Sequence, residues 1–134
     1  MSAQTPTAAE LMQQVLQAIA TRDVSALLDL CADEIVFEFP FAPPGRPARV
    51  EGKGPLGDYL AAIPSKVDLA GLSNFEMHET VNPDVAIVEM TATGSLKGSG
   101  EPYEQSYVVV LTASHGRIVR YRDYWNPLKA LDLG

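Results

Sequence analysis

The sequence predicts an α+β fold: a curved, mostly antiparallel sheet with three helices in the N-terminal half of the chain. Three observations carry this reading. Apolar residues recur at helical spacing up to Pro64 and at a period of two beyond it. Helices and strands are therefore segregated instead of alternating. The later strand-like runs are joined by short Gly-, Asn- and Pro-containing turns, as antiparallel hairpins are. A curved sheet wrapped over helices leaves an apolar pocket between the layers, a common place for a small-molecule site.

Each element has its own signal. Thr7-Ala8-Ala9-Glu10 has the spacing of a capping box, ahead of a stripe of Leu11, Met12, Val15, Leu16 and Ile19. Asp23 can cap a second, short helix, with Val24, Leu27, Leu28 and Cys31 as its buried stripe. Glu34–Phe39 is β-branched and aromatic and reads as a strand. Pro40, Pro43, Pro44 and Pro47 stop regular structure, so Phe41–Arg49 is an ordered loop or polyproline segment. Pro55 suits the first turn of a third helix, whose apolar face is Leu56, Tyr59, Leu60 and Ile63 and which Pro64 ends. Val67–Glu79 is a strand with a break near Gly71, and Asn82-Pro83-Asp84 is a turn. Strands Val85–Leu96, Tyr103–Ala113 and Arg117–Trp125 follow, linked by the Gly-rich 97–102 loop and the turn Ser114-His115-Gly116.

The 134 residues fit one domain, 1–134, with residues 1–6 as a loose tail. One cysteine excludes an internal disulfide. Two histidines and one cysteine fall short of the usual zinc sets, so no metal is expected. A net charge of −7 with 10 Lys and Arg argues against nucleic acid and against anionic membranes. The N-terminus lacks a basic and an apolar targeting segment, and no run approaches the ~20 apolar residues of a membrane span, so a cytoplasmic protein is expected.

The last strand carries the most chemistry. Alternation puts Val119, Tyr121, Asp123 and Trp125 on one face and Arg120, Arg122 and Tyr124 on the other. If the first face lines the pocket, Asp123 is a desolvated acid, suited to proton transfer; the bland alternative is an aspartate paired with an arginine. Glu89 is a second candidate. It shares a face with Ile87, Thr91 and Thr93, opposite Val88, Met90 and Ala92, and either points to water, has a partner or does chemistry. On Glu34–Phe39, either Glu38 or the pair Phe37 and Phe39 looks inward. Tyr59, Tyr103 and Tyr107 can supply hydroxyls or only pack. His78 reads as partly exposed, His115 as solvated and Cys31 as inert packing. No serine sits in a nucleophile motif, and Gly94, Gly98 and Gly100 serve turn geometry, not phosphate binding.

The element order, the ending GRIVRYRDYWNP and the run VEMTATG (Val88–Gly94) resemble the SnoaL-like branch of the nuclear-transport-factor-2-like superfamily. That superfamily includes ketosteroid isomerases, polyketide cyclases, limonene epoxide hydrolase and the phenazine-biosynthesis A/B proteins. The resemblance implies a cone, closed by three helices over a deep apolar pocket, in a protein that dimerises through the outer sheet face. The phenazine proteins and the epoxide hydrolase each place a working carboxyl at the position of Asp123. The hydrolase adds an Arg and an Asp on an earlier strand, where this chain has Glu89 and Thr91, which ranks epoxide hydrolysis low. The implied function is cofactor-independent acid/base chemistry (isomerisation, enolisation or cyclisation) on an apolar or polycyclic carbonyl-bearing metabolite. Asp123 and Glu89 would be catalytic, and Tyr121, Trp125, Phe37, Phe39, Tyr59, Tyr107 and Thr91 would contact substrate. A binding cone that performs no reaction is the alternative.

Overall fold

Local signals seed the elements of the computed structural model, which describes residues 5–130. The capping box forms: Thr7 N–H donates to Glu10 Oε1 at 2.9 Å and Glu10 N–H to Thr7 Oγ1 at 3.2 Å. It opens α1 (Ala8–Ala20), which buries Leu11, Met12 and Val15. Asp23 caps α2 (Val24–Asp29) by accepting from Ala26 N–H at 2.9 Å. α3 (Lys53–Ala62) carries Pro55 in its first turn and gives way to a 3₁₀ turn, Ile63–Ser65, in which Pro64 sits.

Six strands form one sheet: β1 (Cys31–Glu38), β2 (Arg49–Glu51), β3 (Val67–Glu79), β4 (Val85–Leu96), β5 (Pro102–Ser114) and β6 (Arg117–Trp125). Their spatial order is β2-β1-β6-β5-β4-β3. All neighbours are antiparallel except β1 and β6, which run parallel, so the sheet is mixed and open at both edges. The three helices cover its inner face. There Ile35 and Phe37 of β1, Val88 of β4, Val109 and Leu111 of β5 and Ile118 of β6 meet the α1 stripe. Burying that apolar surface is what fixes which face of each strand turns inward.

The structure corrects four readings. Cys31 begins β1 instead of ending the helical stripe of α2. Pairing with Ile118 of β6 and the bond from Ile118 N–H to Leu30 O (2.9 Å) draw it into the sheet. The predicted 41–49 loop ends in a short edge strand, β2, zipped antiparallel onto β1. In β6 a bulge leaves Val119 out of the β5 register, so Ile118 is the fully buried residue in place of Val119. Gly94 lies inside β4, not in the hairpin loop. Residues 1–4 of the expected tail lie outside the described residues. Thr5 and Pro6 have no regular structure and lie beside Gly116. The expected C-terminal tail opens as a one-turn helix, α4 (Pro127–Ala130), and residues 131–134 lie outside the described residues. Among the described residues no helix is long and apolar enough to cross a membrane.

Candidate active site

β1, β5 and β6 turn aromatic side chains toward α3 and leave a cavity of about 240 Å³ between them. A cavity of ~150 Å³ already holds benzene, so this one suits a larger, fused-ring body. Six of its lining residues, Ile19 and Leu60 among them, also border an adjoining space of about 190 Å³. Its walls are mostly apolar. Phe37 stacks on Tyr121 (4.3 Å between centroids, 11° between planes), and Phe39 lies 5.1 Å from Tyr59 and 6.2 Å from Trp125. The phenylalanines of β1 therefore face inward, and Glu38 faces out. There the Arg120 guanidinium donates to Glu38, and that bond above all holds the Glu38 carboxyl below the usual range.

Asp123 lines this cavity. Strand alternation places it between Tyr121 and Trp125 on the inner face, and Val109 of β5 is its register partner. The residue keeps a fraction of its surface, which faces the cavity it lines, but Oδ1 is sealed and has no hydrogen-bond partner among the described residues. Burial without a compensating donor penalises the charged form and pushes the Asp123 carboxyl up to about 8.

Other polar groups share the chamber's lining. Tyr103 and Tyr107 of β5 touch hydroxyl to hydroxyl at 2.9 Å. Burial raises the pKa of both, as it does that of Tyr59 on α3, and the Asp123 charge raises all three further. These phenols stay protonated and can donate. Gln105, almost wholly buried between the two β5 tyrosines, donates to Asn126 O at 2.9 Å and accepts from Asn126 N–H at 3.0 Å. These two hydrogen bonds to the Asn126 backbone fix the end of β6 and with it the position of Trp125. Arg46, from the proline-rich loop, reaches the chamber and hydrogen-bonds the Tyr59 side chain.

Of the residues singled out from sequence, Asp123, Tyr121, Trp125, Phe37, Phe39, Tyr59 and Tyr107 come together around the cavity. Glu89 and Thr91 do not. The inner face of β4 is the more apolar set Ala86, Val88, Met90 and Ala92, and that puts Glu89 and Thr91 on the outer face. Glu89 is half exposed and bonds His78 Nε2 at 2.8 Å, while Thr91 accepts from Asn74. Glu89 therefore cannot act as the partner carboxyl of Asp123. With Glu76 and His78 it forms an exposed group of possible metal ligands, one atom each within 4.8 Å of the others, on the face opposite the cavity. Cys31 is buried with its thiol pKa pushed up to about 11, first by desolvation, which makes it unreactive. Gln105 and Arg46 were missed. For Gln105 a signal existed, since alternation sets it on the same face as Tyr103 and Tyr107. For Arg46 there was none, because its reach depends on the loop path.

Residues 12–121 match the model of the SnoaL-like domain. The uncharacterised protein YesE of Bacillus subtilis is 36% identical over 121 residues, 90% of this chain and 82% of its own length. An uncharacterised PhzA/B-like protein of Pseudomonas aeruginosa is 34% identical over 125 residues, 93% of this chain and 88% of its own. Among solved structures, a proposed isomerase from Bacillus subtilis superposes with a TM-score of 0.84 at 36% identity, covering 91% of this chain and 88% of that one. A proposed polyketide cyclase from Pseudomonas putida, at 19% identity, TM-score 0.80 and coverage of 95% and 97%, shares the fold.

Proposed function

Since the chain belongs to the SnoaL-like domain family, we propose that its cavity carries out proton transfer on an apolar, carbonyl-bearing small molecule, with Asp123 as the group that moves the proton. The observation that supports this most is the Asp123 carboxyl itself. Its Oδ1 is sealed from solvent and has no protein partner among the described residues, and burial poises the carboxyl near neutrality inside an aromatic cavity. Acid–base groups work best when their pKa lies near the working pH. Tyr103, Tyr107 and Tyr59 are the donors that could meet a carbonyl oxygen as it gains charge. Tyr121, Trp125 and the two phenylalanines bind the apolar body and exclude water. Isomerisation, enolisation and cyclisation can each begin with such a transfer, and the similar structures include a proposed isomerase and a proposed polyketide cyclase. The reading also includes a homodimer through the outer face of the sheet.

The experiment follows exchange of the α-protons of 2-tetralone, a bicyclic ketone, in deuterated buffer by NMR. The protein should speed exchange above the buffer rate. Asp123 must be ionised to abstract a proton, so the rate should rise with pH and level off above about 8. Asp123→Asn should remove at least 100-fold of the acceleration while leaving the circular-dichroism spectrum unchanged. Exchange at the wild-type rate in D123N overturns the assignment. Saturable binding of 2-tetralone with no exchange above buffer would identify a binding cone instead.

A further inference from the structure

A second space, of about 190 Å³, abuts the main cavity where the α1–α2 turn, the 3₁₀ turn and the start of β3 meet. The residues that line both are Ile19, Leu27, Leu60, Ile63, Val67 and Leu69, all aliphatic. Ala18, Val24 and Pro64 complete its apolar wall. Arg22 closes one side. At φ 56° it turns the chain between α1 and α2, and its guanidinium donates to Leu69 O and lies 3.9 Å from Asp68. Asp23 is engaged in capping α2. Two exposed lysines stand at the rim: Lys66 on the main cavity and Lys97 on the second space. Lys97 N–H donates to Lys66 O at 3.0 Å, so the backbone holds the two side by side. Among the described residues neither lysine is in an ion pair, whereas Arg22, Arg49, Lys53 and Arg120 each have a carboxylate partner. Arg22, Lys66 and Lys97 outnumber Asp23 and Asp68 at this rim, in a chain whose net charge is −7.

Resting on the proton-transfer reading of the main cavity, we propose that one ligand spans both spaces: a carbonyl-bearing ring beside Asp123, an aliphatic chain in the second space, and an acidic group at the chain's end that meets Lys66 and Lys97. A chain is what the second space fits. Apart from its charged rim the lining is apolar, so it binds by taking methylene groups out of water. A cavity of ~150 Å³ takes benzene, so this space has room for about six carbons. A lysine ammonium is a point charge on a flexible stem and can follow a mobile end group. At an exposed rim the acid also stays hydrated, so no burial cost opposes it. The substrate class is therefore a ring ketone that carries an alkyl chain ending in an acid, not a bare ring ketone.

Calorimetric titration at low salt with phenylacetate, 4-phenylbutyrate and 6-phenylhexanoate, and with the neutral 6-phenylhexanamide, tests this. Affinity should rise along the acid series, with 6-phenylhexanoate about tenfold tighter than phenylacetate. Val24 lines the second space and not the main cavity, so Val24→Trp should remove that gain and leave phenylacetate unchanged. The long acid should bind about threefold tighter than its amide, and the double variant Lys66→Gln, Lys97→Gln should erase the difference. Isotope-filtered NOE spectra of the wild-type complex with 6-phenylhexanoate should place the ring beside Tyr121 and the chain beside Ala18 and Val24, a readout that needs no variant. No binding at millimolar concentration, no gain with chain length, a gain that folded V24W retains, or a ring seated at Val24 overturns the inference and leaves the proton-transfer reading intact. Equal affinity for acid and amide, or a preference that the lysine variant keeps, overturns it as well. Failure of the 2-tetralone exchange alongside the expected chain-length series would overturn the catalytic reading alone.

Discussion

A carboxyl walled by Tyr121, Trp125 and Val109 must reveal itself in the pH dependence of stability. Its folded pKa, about 8, lies above the value of 3.8 it would have in the unfolded chain. Between those two values the folded state holds a proton that the unfolded state has released, so stability falls as pH rises and levels off above about 8. The full difference corresponds to roughly 6 kcal/mol, a large share of a small domain's total. Urea denaturation between pH 5 and 9 should show the wild-type midpoint falling up to about pH 8 and then levelling off. In Asp123→Asn that decline should disappear, leaving the variant the more stable protein at pH 9. A wild-type midpoint that is flat across this range would contradict a sealed carboxyl. The position of Asp123 was legible, because strict alternation beside two aromatics leaves few places for a β6 aspartate to point. That of Glu89 was legible too, had the two faces of β4 been ranked by apolarity. Ala86, Val88, Met90 and Ala92 outweigh Ile87, Thr91 and Thr93, and the hydrophobic effect decides such contests.

At the level of elements, the sheet depends on contacts that no local pattern announces. Gly94 faces Leu69 in the β3–β4 register, and a Cβ placed there would sit 2.1 Å from Asp68 O and 3.0 Å from Leu69 Cα. Both are backbone atoms, so neither can swing aside. Gly94→Ala should therefore force the two strands apart and cost about 1–3 kcal/mol, with the measurement again a urea midpoint. Gly98 has open space around its Cα, so Gly98→Ala serves as the control and should move stability by less than ~0.5 kcal/mol. If the two alanines have equal effects, the close approach of β3 and β4 at this point is wrong. The same principle explains the other elements that differed from expectation. β2 exists because Val36–Glu38 offers it an edge, Cys31 joins the sheet because β6 runs beside it, and Val119 bulges to keep β5 and β6 in register. Each is set by pairing with another strand and not by the pattern of its own segment. The caps of α1 and α2 and the four long strands were readable because each is set within its own segment.

At the scale of the whole molecule, the outer face of the sheet has a charge gradient along its strand order. Arg49 of β2 and Arg120 and Arg122 of β6 lie toward one end, with Glu38 and Glu51 among them, and Glu104 of β5, Glu89 of β4 and Glu76 of β3 lie toward the other. Between them Val108 of β5 is 39% exposed, and Tyr124 of β6, packed by Phe41, is its register partner. A two-fold axis near the β5–β6 pair would lay each basic end over the partner's acidic end and bury Val108 and Tyr124 at the centre. That is the self-complementary surface a two-fold dimer requires. Sedimentation equilibrium at micromolar concentration should give twice the chain mass. Placing a lysine at the centre, Val108→Lys, should bury two unpaired charges across the axis and shift the protein to monomer without changing its far-ultraviolet spectrum. High salt should weaken wild-type association, because the charge ends contribute through a screened interaction. A wild-type protein that is monomeric under these conditions, or a V108K variant that stays dimeric, would mean that this face is not the interface. The cavity opens on the opposite side of the sheet, so the monomeric variant should still bind its ligand, and association and chemistry can be tested apart.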